Sequence, residues 1–248
     1  MSALSVENLT LSYGALCAID SLSFEVADGE RLVIFGPNGA GKTTLFNVIT
    51  GLLAPSSGAV RLFGNDLAQL STRKRVALGL GRTFQITTLF PRMTALESAM
   101  LAVQAGERWC FAMHRSIESF PKVRRRALEL LDDWGIVGKA DVQTQLLSYG
   151  EQRQLELVMA LARGPRLLLL DEPAAGLSAA ETATVESMIK RFSREITVLL
   201  IEHDVDMALR LADRVLVMQQ GRLVVSGSPE EIRSDSRVAQ IYFGEDLV

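Results

Sequence analysis

Apolar residues in this chain recur at three spacings, and each predicts a different kind of element. Leu4, Val6, Leu9 and Leu11 alternate loosely enough to predict a first strand. Residues 24–26 predict a second and residues 31–35 a third, with Asp28-Gly29 standing where a hairpin turn would stand. After a turn at Pro55-Ser56-Ser57-Gly58, residues 59–63 and 79–84 predict two short strands. Residues 167–170 and 197–201 are continuous apolar runs, as expected of parallel strands buried on both faces. The 3.6-residue spacing predicts helices at 42–50, ending near Gly51, and at the sets Val123/Ala127/Leu130/Leu131/Trp134, Leu155/Val158/Met159/Ala162 and Val185/Met188/Ile189/Phe192. Two short strands around Gly221 and a helical stretch from Pro229 finish the chain. Between about 86 and 163 the pattern is helical and carries no strand. This stretch therefore reads as an α-helical subdomain inserted into an α/β core of residues 1–85 and 164–248.

Composition narrows the function classes. Of 248 residues, 48% are hydrophobic, enough for a sizeable core. The net charge of −3 gives no bulk reason to expect a nucleic-acid partner. Lys122 and Arg124 to Arg126 form a basic cluster, but Glu129, Asp132 and Asp133 follow closely, which favours a solvated helix face. Cys17 and Cys110 lack a metal-type spacing and fit a reduced cytosolic setting. No signal pattern opens the chain, and no apolar run approaches the roughly 20 residues of a membrane helix.

The chemistry concentrates around Gly36-Pro37-Asn38-Gly39-Ala40-Gly41-Lys42-Thr43-Thr44, which fits G-x-x-x-x-G-K-[ST] between a predicted strand and a predicted helix. Glycines let backbone N–H groups face an anion closely, and a helix start adds unpaired N–H groups and a positive dipole end. Lys42 suits β- and γ-phosphates, and the Thr43 hydroxyl suits Mg²⁺. Asp171-Glu172 closes a buried strand. Two carboxylates there are costly unless they meet a cation or a reacting group, so Asp171 suits Mg²⁺ and Glu172 a general base for water. His203 closes the next buried strand, where it could hydrogen-bond a γ-phosphate, although a lone histidine is more often structural. Gln85, past the 79–84 strand, could meet Mg²⁺ or orient water; Tyr13 could stack on a purine. Taken singly, a loop glutamine is usually solvated and such a tyrosine usually packs. Ser148 with Glu151 reads as a capping box, and the same helix start, with Gly150, is also an anion site.

Taken in order, these segments resemble the nucleotide-binding subunits of ABC transporters over essentially the whole chain. Tyr13, residues 36–44, Gln85, residues 147–152, Asp171-Glu172 and His203 match the family's adenine-stacking aromatic, Walker A, Q-loop, signature motif, Walker B with catalytic glutamate, and switch histidine. A closer likeness is to the ATPases of branched-chain (hydrophobic) amino-acid importers. It rests on residues 36–47, Arg82-Thr83-Phe84-Gln85, Leu89-Phe90-Pro91-Arg92-Met93-Thr94, Ser148-Tyr149-Gly150 and Ile241-Tyr242-Phe243-Gly244. Cousins serve urea or amide uptake and lipopolysaccharide export, and some family members act outside transport.

The resemblance implies a P-loop NTPase core, α/β, with a mixed sheet, an N-terminal antiparallel β subdomain and the inserted helical subdomain. It implies ATP with Mg²⁺, held by residues 36–44 with Tyr13, and across a dimer by Ser148 and Gly150 of a second ATP-binding subunit, identical or related. Metal contacts fall to Thr43, Gln85 and Asp171, and catalysis to Glu172, His203 and Gln85. Transmembrane permease subunits, and indirectly a periplasmic or extracellular substrate-binding protein, are the implied partners, with no nucleic acid. The implied place is the cytoplasmic face of the plasma membrane. The region after Gln85, through Phe90 to Met100, is the implied docking surface. Two departures stand out: Tyr149 and Glu151 replace a glycine and a glutamine of the usual signature, and Ser178 stands where Asp or Asn is usual.

Overall fold

The computed structural model describes residues 2–83, 89–105 and 120–243. The chain begins β1 (Ser2–Tyr13), β2 (Leu16–Ala27), β3 (Arg31–Phe35), α1 (Lys42–Thr50) and β4 (Ser57–Leu62). β5 (Asn65–Asp66), α2 (Thr72–Ala77) and β6 (Leu80–Arg82) follow, then helices α3 (Ala95–Gln104), α4 (Pro121–Asp133) and α5 (Tyr149–Leu161). β7 (Leu167–Asp171), α6 (Ala179–Lys190), β8 (Thr197–Ile201) and α7 (Val205–Leu211) lead to β9 (Arg214–Gln219) and β10 (Arg222–Gly227). The last described elements are α8 (Pro229–Ser234) and α9 (Ser236–Phe243).

These elements form two compact units. The first comprises Met1–Arg82, Arg166–Glu172 and Phe192–Val248 and holds every named strand. One sheet, ordered β2-β1-β4-β5, is antiparallel throughout. The other, ordered β10-β9-β3-β8-β7-β6, is parallel except for the β9–β10 hairpin. All five residues of β7 and of β8 are buried, which explains why their sequences do not alternate. Leu32, Ile34, Leu169, Leu199 and Ile201 join Leu45, Phe46 and Ile49 of α1 and the apolar face of the antiparallel sheet in one core. Each such side chain contributes about 1.5–3 kcal/mol on burial, so the helix carrying Lys42 and Thr43 is anchored along its length.

Asp28-Gly29 does form a turn, with Glu30 N–H bonded to the Ala27 carbonyl at 3.2 Å, but it is not a hairpin. It carries the chain from β2 in one sheet to β3 in the other. The β2 strand also starts at Leu16, well before the expected 24–26. Register shifts in β1–β2 pairing, with Ser21 at φ 51°, break its alternation between Ile19 and Leu22 and hide its first half from a period-2 pattern.

The second unit comprises Thr83–Pro165 and Pro173–Arg191. It thus includes α6, which the sequence pattern alone left with the α/β core. Ala95, Leu96, Ala99 and Met100 of α3 pack with Val123, Ala127, Leu130 and Leu131 of α4 and with Leu155 and Val158 of α5. The basic and acidic residues of α4 are exposed, with Arg125 and Arg126 both near Glu129. Capping boxes start α3 at Thr94/Glu97, α5 at Ser148/Glu151 and α6 at Ser178/Glu181. Each satisfies amides a helix start leaves open.

Candidate functional site

The first unit brings three strand ends into line. Ile34 pairs with Ile201, and Ile201 pairs with Asp171. The segments that follow, residues 36–44, Glu202-His203 and Glu172, therefore leave the sheet at one level, beyond the carboxyl ends of adjacent parallel strands. That is where open α/β sheets bind ligands.

The loop after β3 is shaped by close backbone approach. A Cβ on Gly36 would lie 2.0 Å from the Met218 carbonyl oxygen. One on Gly41 (φ 98°) would lie 2.4 Å from the Ala18 carbonyl oxygen. Gly41 stands at the N-cap of α1 and no side chain caps that helix, whereas α3, α5 and α6 are all capped. The α1 amides thus face the loop's concavity rather than a local side chain. The β9–β10 turn buttresses this loop. Gly221 N–H donates to the Ala40 carbonyl at 3.1 Å, and the Gly221 carbonyl accepts from Asp20 N–H at 3.0 Å.

Lys42 is 6% exposed, and its Nζ donates to the carbonyls of Gly36 at 2.5 Å and Pro37 at 3.2 Å. Burial pulls its ammonium below the ordinary lysine range, while the charges of Glu172 and Asp171 act in the opposite direction. Asp171 is 1% exposed, and burial raises its carboxyl above the usual range against the pull of Arg82. The Nη2 of Arg82 donates to Asp171 Oδ2 at 3.1 Å. Glu172 sits at φ 47°, a strained backbone for a non-glycine residue, and its N–H donates to the Ile201 carbonyl at 3.0 Å. Thr43 is exposed on the first turn of α1. His203 is exposed, with Nδ1 3.9 Å from Oε2 of the fully buried Glu202.

Tyr13 ends β1 opposite Leu16, and its ring is half exposed. Cys17 and Ala18 follow Leu16 on β2, so the hairpin tip lies a few residues from the carbonyl that abuts Gly41. Gln85 lies outside the described residues. Ser148 and Gly150 belong to the second unit. There Ser148 accepts from Glu151 N–H, and Gly150 N–H donates to Glu181 Oε1 at 3.1 Å. The other Glu181 oxygen accepts from Ser178 N–H at 3.0 Å and Ser178 Oγ at 2.7 Å. Glu181 thereby joins the two segments that depart from the family pattern, and sequence reading gave it no part. Tyr149 is held too: its hydroxyl accepts from Arg153 Nη2 at 2.9 Å, and the guanidinium lies over its ring.

The donor set can be tested against the groups it would hold. The glycine-walled concavity, the uncapped helix start and a buried lysine suit a chain of phosphates. The Thr43 hydroxyl and the Asp171 carboxylate are hard oxygen donors. Such a pair suits Mg²⁺, which takes one or two protein oxygens and completes its shell with phosphate and water.

Comparison with known proteins gives a consistent result. The family described as "ABC transporter" matches residues 19–175. The high-affinity branched-chain amino acid transport ATP-binding protein BraF of Pseudomonas aeruginosa is 36% identical over 249 residues, covering 98% of each chain. The lipopolysaccharide export system ATP-binding protein LptB of Haemophilus influenzae is 32% identical, covering 100% of this chain and 99% of its own. The ADP conformation of MJ1267, an ATP-binding cassette of an ABC transporter, superposes with a TM-score of 0.87 at 30% identity, covering 99% and 100%.

Proposed function

This chain belongs to the ABC transporter family as an ATP-hydrolysing subunit, and from that premise we propose that its ATPase cycle powers uptake of branched-chain or hydrophobic amino acids through separate membrane subunits. The observation that supports the ATPase part of this reading is the alignment of three strand ends, since the segments with Lys42 and Thr43, Glu172, and His203 follow the carboxyl ends of the adjacent strands β3, β7 and β8. Amino-acid import is favoured over lipopolysaccharide export because BraF is more similar than LptB, 36% against 32% identical. Among the described residues no helix is long and apolar enough to cross a membrane; in this reading the chain sits on the cytoplasmic face of the membrane and passes its motion to separate transmembrane permease subunits.

In the proposed cycle residues 36–44 enclose the phosphates, with loop amides and Lys42 as donors, and Tyr13 stacks on the base. Thr43, Asp171 and Gln85 are the proposed Mg²⁺ contacts; when bound, the ion neutralises charge developing on the phosphates. Glu172 accepts a proton from the attacking water, and His203 donates a hydrogen bond to the γ-phosphate. Ser148 and Gly150 of a paired subunit close over the same phosphate. In that step the Gly150 amide must exchange its Glu181 partner for phosphate oxygen. Loss of the γ-phosphate removes what both faces grip, and the pair reopens.

The test is Mg²⁺-dependent ATP hydrolysis by the purified chain across protein concentration, beside Glu172→Gln. Turnover that rises more than linearly with concentration and vanishes in the variant, with ATP binding retained, is expected. A Glu172→Gln turnover within a few-fold of the parent removes Glu172 from the base role. Co-purification of membrane subunits separates a transporter ATPase from a family member acting outside transport.

A further inference from the structure

Arg82 ends β6, three residues before Gln85, and the motif reading above assigns it no catalytic or metal-binding part. Its side chain is 8% exposed and reaches two elements at once. On β7, Asp171 Oδ2 accepts from Nη2 at 3.1 Å. On α1, Asn47 Oδ1 accepts from Nη1 at 2.8 Å and Thr50 Oγ1 accepts at 3.2 Å. The guanidinium carbon also lies 5.7 Å from the centroid of the Phe46 ring, on the same helix. One rigid, planar group therefore fixes the end of the strand bearing Asp171 against the helix bearing Thr43.

We propose that Arg82 is a positioning residue for Mg²⁺·ATP, holding the Asp171 carboxylate in register with the Thr43 hydroxyl so that the two present a preset pair of oxygen ligands. This rests on the ATPase reading above. The physical argument concerns what a carboxylate does at the end of a buried strand. Left alone it would rotate, or repel Glu172 beside it. A guanidinium engaging one of its oxygens sets its torsion and places compensating charge on the side bearing α1. Ligand-orienting groups of this kind typically contribute 10–100-fold to metal affinity. Lysine would not substitute: a compact ammonium on a flexible stem lacks the fork that spans Asn47 and Asp171 together.

The experiment uses the full chain with Arg82→Lys, which keeps the positive charge, and Asn47→Ala, which removes one α1 anchor and leaves Arg82 itself. Mn²⁺ binding to the complex with ADP is read by electron paramagnetic resonance. ADP affinity is read separately in EDTA, and the urea midpoint reports folding. For Arg82→Lys the expected result is Mn²⁺ affinity weakened about 10–100-fold, with ADP affinity in EDTA within twofold of the parent. For Asn47→Ala the expected loss lies in the same direction and is about threefold or more. If Arg82→Lys does not fold, Asn47→Ala decides. Mn²⁺ affinity within twofold of the parent in a folded variant overturns the proposal, as does an equal loss of ADP affinity in EDTA. A parent chain that binds no Mn²⁺ with ADP would instead overturn the ATPase reading, so the two failures are distinguishable.

Discussion

Arg75 holds the end of α1 remote from the phosphate loop, and its removal has a consequence that can be worked from the hydrogen bonds. The residue lies on α2, is 6% exposed, and among the described residues donates only to main-chain carbonyls: Val48 at 2.6 Å, Ile49 at 2.8 Å, Leu67 at 2.7 Å and Leu70 at 2.8 Å. Val48 and Ile49 belong to the last turn of α1, where carbonyls lack helical partners and a cation opposes the negative dipole end. In Arg75→Met the Val48 carbonyl still accepts from Gly51 N–H and the Leu67 carbonyl from Leu70 N–H, each at 3.1 Å. The loss therefore falls mainly on Ile49 and Leu70. Two stranded acceptors cost about 1–3 kcal/mol each. Part of that returns, because a cation whose burial already holds it below the ordinary arginine range no longer needs desolvating. The net expectation is a loss of about 2–4 kcal/mol, a large share of the roughly 5–15 kcal/mol that domains possess. Urea unfolding followed by circular dichroism measures it, with Arg75→Lys expected between parent and Met. An Arg75→Met chain within about 0.5 kcal/mol of the parent, the range of an ordinary surface change, would show that the four bonds contribute no net stability and that α1 is held otherwise.

Two further outcomes follow from the same geometry. Lys42→Ala removes a charged donor aimed into the loop and should weaken nucleotide binding about 10–100-fold; a fluorescent-nucleotide titration with an unchanged Kd would refute this. Asp213 bears on acid stability: burial pushes its carboxyl up, but Arg194 Nη1 at 2.5 Å and Arg31 N–H at 2.8 Å outweigh it and hold the carboxyl below the usual range. A depressed carboxyl contributes stability above its unfolded pKa of about 3.9, and that stability is lost as pH falls through the folded value. Asp213→Asn should therefore lose less stability than the parent between pH 5 and pH 3 in urea titrations, and parallel slopes would remove Asp213 from the account.

The sequence made legible what depends on local patterning. The runs of β3, β7 and β8, the Gly-Lys-Thr helix start and the Ser148 capping box are all readable, because each is determined by residues within a few positions of one another. What escaped depends on partners far along the chain. Arg82 and Asp171 are 89 residues apart, and neither β6 nor β7 hints at their pairing. Helix α2 has no apolar stripe to read, because its one buried side chain is an arginine. Glu181 reads locally as an ordinary capping partner for Ser178. Its second bond, to Gly150, joins residues 31 apart. The first half of β2 was lost to a register shift rather than to weak propensity.

The strand order also bears on how the protein is made. β3 pairs with β8 through Leu32 and Leu199, and with β9 through Leu32 and Arg214. A chain emerging from the ribosome therefore carries its phosphate-loop strand for most of synthesis with neither neighbour present. Meanwhile α3, α4 and α5, which share a core of residues close in sequence, are complete before β8 appears. Closing such long loops is slow and leaves apolar strands exposed in the interval. Newly made chains should thus expose the β3 region to chaperones or self-association until β9 is out. Protease digestion of nascent chains halted after α6 or after β10 would test this: only the longer set should protect β3, and early protection would show that another segment covers it first.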